Sequence, residues 1–411
     1  MTVTKGVIGD VCDFVGGSQP PKKVFIHEPR EGYIRLIQTR DYKTEDFPTY
    51  IPIDQARRFC DEQDIMIGRY GPPIFQVSRG LEGAYNVALM KAVPKSNILN
   101  EYLYYLLKQP SIFAYVDRLS LRTGGQTGVD LYSLNRYPIL LPGIPYQQKV
   151  VDVLKSLDDK IALNNRINTE METMSKVLYD YWFVQFDFPD EQGNPYKSSG
   201  GEMTWNDELR REVPARWESG TIHNLGDLLG GGTPRKQNLE YWNGSIPFFT
   251  PTDSQDSVFV IDTAEHITEA GLKSCSSKLY PKGTTFITAR GTVGTINVAS
   301  RDMAMNQSCY AIRPKSDVNY YYLHQCCREL IQMMKAKAGG SVFDSLVSND
   351  FKLTPILIPD SKTIELFGKA IADHYEKILV NREENRRLAE LRDWLLPMLM
   401  NGQVTIHNGH Y

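Results

Sequence analysis

The chain has 411 residues, 41% of them hydrophobic and 23% charged, with a formal net charge of −3 at pH 7. That is the composition of a globular protein of two or three domains. It excludes a uniformly basic nucleic-acid binder and, with no apolar run near the roughly 20 residues a bilayer needs, a membrane-spanning helix. By segment the charge runs only from +2 over residues 1–145 to −3 over residues 190–221. Any nucleic-acid surface must therefore come from the arrangement of basic side chains and not from their number.

The N-terminus, Met1 to Asp13, lacks a basic-then-apolar signal pattern, so a cytoplasmic location is expected. The cysteines are Cys12, Cys60, Cys275, Cys309, Cys326 and Cys327, without a Cys-x-x-Cys pair. They read as reduced thiols. The histidines are scattered, and no metal site is expected.

In chain order, Tyr33–Ile37 has the pattern of a strand. Residues 65–69 form a second apolar run, ending on Arg69. Asn100 to Lys108 predicts a capped amphipathic helix. Gln147 to Phe183 contains neither Pro nor Gly and carries apolar residues at three-and-four spacing, among them Val150, Leu154, Leu157, Ile161, Met171 and Leu178. That predicts one long helix, about 55 Å at 1.5 Å per residue. Residues 190–217 are polar and turn-rich and read as a boundary. Strands follow at 246–250 and 284–288, then a helix from Asn319 to Lys335. A second long helix carries Ile364, Phe367, Ile371, Ile378, Leu388, Leu391 and Leu395, with Pro397 expected to kink or end it.

The two halves repeat. Gly9-Asp10 is echoed by Gly226-Asp227, Pro138–Pro142 by Pro355–Pro359, and Lys160-Ile161 by Lys377-Ile378, all 217 residues apart. Arg69 is matched with Arg290, and Gly124-Gly125 with Gly339-Gly340. A period this long is a duplicated domain-plus-helix unit and not a solenoid. The expected fold is α/β (α+β), a pseudo-twofold internal repeat whose two long helices pair as an antiparallel coiled coil. The segments are 1–145 and 222–360 (globular domains), 146–189 and 361–400 (spacer helices), 190–221 (linker) and 401–411 (tail). Asn164, Asn168, Asn381 and Asn385 fall on the apolar seam with Leu154, Ile161, Ile378 and Leu388. They are either tolerated polar positions or, as their recurrence favours, residues that fix the helix register. The same seam positions are the candidate partner-binding residues.

Several loops combine Gly with basic or amide side chains: 16–23, 122–128, 230–236, 290–294 and 335–341. Glycine lets backbone N–H groups approach phosphate, and the neighbours supply charge and hydrogen bonds. Each such loop can equally be an ordinary surface turn. The candidate DNA contacts are Lys22, Lys23, Arg69, Arg122, Gln126, Thr233, Arg235, Lys236, Arg290, Lys337 and Ser341. Arg69 and Arg290 each follow an apolar strand and either sit in a surface ion pair or contact a base or phosphate. No catalytic motif is found. Gly368-Lys369 is followed by Ala370, so there is no Walker A sequence, and neither a His-Glu-x-x-His nor a Gly-x-Ser-x-Gly occurs. Asn194-Pro195-Tyr196 lacks the second proline of the adenine methyltransferase motif.

Four passages carry a resemblance that covers the whole chain. They are Leu178–Phe183 through Phe188-Pro189, Asn194–Gly201, Leu225-Gly226-Asp227 through Gly232-Thr233-Pro234, and Leu395–Gly402. With the duplication, they make the sequence similar to specificity subunits of type I restriction–modification enzymes. The resemblance implies two target-recognition domains, each reading half of a split double-stranded DNA site, with paired helices setting the gap. It implies two methyltransferase subunits, which bring S-adenosylmethionine, and motor-nuclease subunits, which use ATP and Mg²⁺. The chain itself would bind no cofactor and carry no catalytic residue. The alternatives from other classes are a protein-interaction scaffold and a self-contained DNA methyltransferase.

Overall fold

A computed structural model describes residues 3–71, 74–120, 128–337 and 345–406. The chain divides into two compact units, Met1–Asp159 with Leu388–Tyr411, and Lys160–Arg387.

In the first unit, a four-stranded antiparallel sheet has the order Cys12–Gly16, Leu89–Pro94, Ile65–Gly68, Val77–Ser78. A second sheet has the order Tyr50–Pro52, Tyr33–Ile37, Gly83–Tyr85, Phe59–Cys60. Strand 65–68 is buried on both faces, and its alternation divides the core. Ile65 and Ile67 pack with Tyr102, Leu103 and Leu106 of the helix Asn100–Leu107, and with Val150 and Leu154. Met66 faces the other way, toward Ile37, Tyr85 and Leu89. Leu396, Leu399 and Met400, from the end of the second long helix, complete the helical side.

The second unit repeats this plan. Its larger sheet has the order Gly226–Gly230, Cys309–Pro314, Thr285–Thr288, Ile296–Ala299, with Phe259–Val260 added at the edge. Its smaller sheet has the order His266–Ile267, Trp242–Phe249, Ala304–Met305. Ile287 faces the helical core with Tyr322 and Leu323, and Phe286 faces Phe249 and Met305. In each unit a short antiparallel ribbon closes the domain, Val3–Val7 with Pro138–Pro142 and Glu218–Gly220 with Ile356–Ile358.

Strand register corrects two of the sequence matches. The first sheet strands, Cys12–Gly16 and Gly226–Gly230, are 214 residues apart and not 217. Asp10 accepts from Val7 N at 2.8 Å, and the same role falls to Asn224, which accepts from Thr221 N at 2.9 Å. Asp227 corresponds instead to Asp13, and each pairs with a cation on or just after the neighbouring strand, Asp227–Arg313 at 2.7 Å and Asp13–Lys95 at 3.2 Å. The central strands are offset by 220. Arg69 N donates to Ala88 O (2.8 Å) just as Ala289 N donates to Ser308 O (2.8 Å). The counterpart of Arg69 is therefore Ala289, and Arg290 corresponds to Tyr70.

The first long helix runs Ile144–Tyr179 and ends in a π turn, Asp180–Val184, that buries Trp182 and Phe183. The second runs Ser361–Met400. Pro397 does not stop it. The proline lies in the last turn, where only one intrahelical bond is lost, and Asn401 N still reaches Pro397 O at 3.0 Å. Asn100 is not a cap either. Its side chain donates to Gln63 O, and Leu99 N is taken by Gln147 Oε1 at 2.9 Å. In the second repeat the cap is real, with Asn319 Oδ1 accepting from Tyr322 N at 2.9 Å.

Inside the second unit the long helices pack antiparallel. Asn164 meets Asn385, Asn168 meets Asn381, and Ser175 meets His374. Inside the first unit Asp158 meets Arg392 at 2.7 Å. The polar segment after the first helix is folded, not free. Residues Met203–Asn206 and Arg211–Pro214 form a hairpin, and Trp217 stacks on Phe188 at 4.7 Å. All six cysteines are free thiols.

Candidate nucleic-acid interface

In both units three chain segments meet at one end of the larger sheet, because the strands that carry them are hydrogen-bonded neighbours. In the first unit Gly16 pairs with Met90 and Gly68 with Leu89. The turn after Gly16 and the residues after Gly68 thus flank the start of the strand Leu89–Pro94. Val129 N donates to Arg69 O at 3.1 Å and brings a third segment to the same point. In the second unit Gly230 pairs with Tyr310, Thr288 with Cys309, and Leu346 N donates to Ala289 O at 3.0 Å. Loops at strand ends, held by a rigid sheet, are where binding residues concentrate.

A four-residue turn leads into each of these strands and has the same internal bonding in both units. In the first, Asn86 N donates to Ile37 O (3.0 Å) and Asn86 Oδ1 accepts from Ala88 N (3.1 Å). In the second, Asn306 N donates to Phe249 O (2.9 Å) and Asn306 Oδ1 accepts from Ser308 N (3.0 Å). A glycine crosses each turn. A Cβ on Gly17 would lie 2.0 Å from Asn86 O, and one on Gly231 would lie 2.0 Å from Asn306 O. No other residue fits there, which accounts physically for the glycine in both loops. The tip of the first turn is Val87 and that of the second is Gln307, both exposed.

The sequence candidates distribute as follows. Thr233 lies on the second glycine loop, and its hydroxyl donates to Gln307 Oε1. Arg290 is exposed and follows Ala289, whose amide holds the residue next to Gln307. Thr233 and Arg290 are thus joined through the Asn306–Ser308 turn. Arg235 is exposed, and its carbonyl accepts from Trp242 Nε1 at 3.3 Å. Lys236 is 3.8 Å from Glu265 in an exposed pair that contributes little to stability. Lys22 and Lys23 are exposed on a 3-10 turn, Lys22–Val24.

Arg69 differs from Arg290. It is half-buried, 5.0 Å from the Tyr70 ring and close to Gly16, so part of its surface is taken by packing. Arg122, Gln126 and Ser341 lie outside the described residues. Lys337 ends the helix Tyr320–Lys337, so the basic segment expected as a loop from Lys335 begins on a helix.

Val87 and Gln307 are missed by a search for glycine and charge. The signal that finds them is the parallel between Tyr85-Asn86-Val87-Ala88 and Met305-Asn306-Gln307-Ser308, 220 residues apart and each leading into a strand.

The helix seam is polar where the sequence places it. Asn164 and Asn381 are fully buried, Asn168 and Asn385 nearly so. Asn164 Nδ2 donates to Asn385 Oδ1 (2.9 Å) and Glu384 Oε2 (2.7 Å), and Asn385 Nδ2 donates to Asn165 Oδ1 (2.8 Å). Asn381 Nδ2 donates to Asn168 Oδ1 at 2.9 Å. Since Asn381 is the repeat of Asn164, and Asn385 of Asn168, the two contacts are images of one another under a local twofold axis. Leu154 is buried in the core of the first unit and Ile378 in that of the second, with Ile161 and Leu388 half-buried.

Among the described residues no group of His, Cys, Asp and Glu could hold a metal ion, and no helix is long and apolar enough to cross a membrane. Burial pushes His324 down to about 3, with Arg328 adding to the effect, and its Nδ1 lies 2.7 Å from the Tyr375 hydroxyl. It is a packed neutral histidine in the helix core.

Each unit thus carries the same loop-bearing sheet end, with the same asparagine turn crossed by a glycine. This chain belongs to the family described as type I restriction modification DNA specificity domain, whose model matches residues 2–173 and again 214–391. Such a chain selects DNA for a type I restriction–modification system and is not itself the catalyst. It is 28% identical to the type I restriction enzyme HindI specificity subunit of Haemophilus influenzae, over 93% of this chain and 95% of that one. It is 27% identical to the MjaIX specificity subunit of Methanocaldococcus jannaschii, over 97% and 93%. The fold is similar to the crystal structure of a type I S subunit from M. genitalium, with a TM-score of 0.56 and 14% identity over 97% and 96% of the chains.

Proposed function

We propose that this chain reads a bipartite double-stranded DNA target, with one recognition domain per half-site. Residues 1–145 and 222–360 are the two readers, 146–189 and 361–400 the spacer helices, 190–221 the linker and 401–411 the tail. The helices set the gap between half-sites. Two methyltransferase subunits dock on the chain and methylate adenine at N6 with S-adenosylmethionine. Motor-nuclease subunits join them and use ATP and Mg²⁺ to translocate and cut. The assembly works in the cytoplasm.

The observation that carries this reading is the repeated sheet end. Two domains of one chain present the same asparagine turn, crossed by the same glycine, with different side chains at the tip. A constant scaffold with a variable tip is what two readers of two different half-sites require. Lys22, Lys23, Arg69, Arg122, Gln126, Thr233, Arg235, Lys236, Arg290, Lys337 and Ser341 are the proposed contacts, with the lysines and most arginines on phosphates.

The test is binding of the full chain to duplex DNA at rising salt. Contacts to phosphate make log K fall linearly with log salt. Steep salt dependence, with a sequence-selected fraction that resists non-specific competitor, supports the reading. Salt-insensitive association, or none with duplex DNA, favours a protein scaffold.

A further inference from the structure

We propose that Gln307 reads an A·T pair through the major-groove edge of adenine, and that Thr233 is the residue that positions it. The proposal rests on the DNA-reading function above and assigns one base contact within it.

Gln307 sits at the exposed tip of a turn whose backbone is held on three sides. Asn306 N is fixed to Phe249 O, Ser308 O accepts from Ala289 N, and Gly231 lies against the Asn306 carbonyl. A tip held this firmly loses little entropy when it meets a ligand. The side chain is also held, since Oε1 accepts the Thr233 hydroxyl. One lone pair of Oε1 and both hydrogens of Nε2 are left. Adenine offers an N6 donor and an N7 acceptor side by side, and a glutamine amide matches both at once.

Two surroundings distinguish this glutamine from an ordinary solvated one. Arg290 is exposed and directly follows Ala289, whose amide holds Ser308 O, so the residue after this anchor is a cation available for phosphate. The first domain has the same turn with Val87 at the tip. That position has no hydrogen-bonding group and suits a thymine methyl. The turn does not require glutamine for its own stability, because Val87 occupies it equally well.

The experiment is selection of bound sequences from a randomised duplex library by the full chain, as wild type and as Gln307→Ala, Gln307→Glu and Thr233→Val. Wild type should prefer A·T at one position of the second half-site by about 10- to 100-fold. Gln307→Ala should level that position and leave every other position, including the whole first half-site, unchanged. The unchanged remaining positions of the second half-site report that the second domain of the variant is folded. Gln307→Glu should move the preference toward C·G, because a carboxylate accepts from cytosine N4 and cannot donate to adenine N7. Thr233→Val should narrow the A·T preference without changing its identity. An unchanged preference in Gln307→Ala, or an equal loss at every position in both Gln307 variants, overturns the proposal. A wild type that selects no sequence overturns the DNA-reading function itself.

Discussion

Asn381 Nδ2 donates to Asn168 Oδ1 at 2.9 Å inside the helix seam, and the residues that correspond to this pair, Asn164 and Asn385, make the same contact in reverse. The network is incomplete: among the described residues, Asn164 Oδ1, Asn168 Nδ2 and Asn381 Oδ1 are buried without a partner. Such a seam costs stability and sets register. Asn381→Ala should destabilise by about 1–3 kcal/mol, because it strands Asn168 Oδ1. The double substitution Asn168→Leu with Asn381→Leu should recover that loss or exceed it. Urea unfolding of the full chain checks both. A double variant no more stable than the single one would remove the unsatisfied-polar argument.

Among the described residues Arg290 has no ion-pair partner, whereas Lys236 lies near Glu265. Arg290→Ala should weaken duplex binding and lower the salt slope by about 1, as expected for one lost phosphate contact. Lys236→Ala should do less, because Lys236 already lies near Glu265. Fluorescence anisotropy across a salt series distinguishes the two. Equal slopes for wild type and Arg290→Ala would take Arg290 off the interface.

Asp360 ties the start of the second long helix to the preceding segment. Burial opposes its ionisation, but hydrogen bonds from the Thr363 amide and hydroxyl and from the Trp217 indole outweigh it and hold the carboxyl below its ordinary value of 3.8. A depressed carboxylate stabilises the fold above its unfolded value, and the contribution fades as the pH drops through the folded one. Asp360→Ala should therefore cost about 1 kcal/mol at neutral pH, typical of a lost N-cap. The gap to wild type should close as the pH is taken below 3.8. A gap independent of pH would mean that the loss comes from packing around Trp217.

Helix length tests the spacer role. The antiparallel register of 164 with 385 and 168 with 381 means that one helix cannot be shortened alone. Removing seven residues from each keeps the seam in phase and shortens the pair by about 10 Å. The selected DNA gap should shrink by about three base pairs at 3.4 Å each. An unchanged gap would remove the helices from setting it.

Much of this was legible in the sequence, and the misses have a common cause. The long helices could be read because 36 and 40 residues of three-and-four spacing outweigh any local ambiguity. The seam asparagines were visible because both repeats carry them at one offset. Register inside the domains was not, since it drifts from 214 to 220 to 217 along the repeat. Short matches such as Gly9-Asp10 with Gly226-Asp227 then pair residues that hold different places. The one-residue slip between Arg69 and Arg290 is of this kind, and only the ladder hydrogen bonds fix it. Gln307 and Val87 were hidden because a reading position needs an anchored turn, and the anchors, Phe249, Ala289 and Gly231 for one and Ile37, Arg69 and Gly17 for the other, are distant in sequence.

The most direct test of the central claim is single-molecule methylome sequencing of cells that express the neighbouring methyltransferase with and without this chain. The account predicts a new N6-methyladenine motif, in two halves separated by a fixed gap, only when the chain is present. An active methyltransferase whose motifs are the same with and without the chain would contradict it.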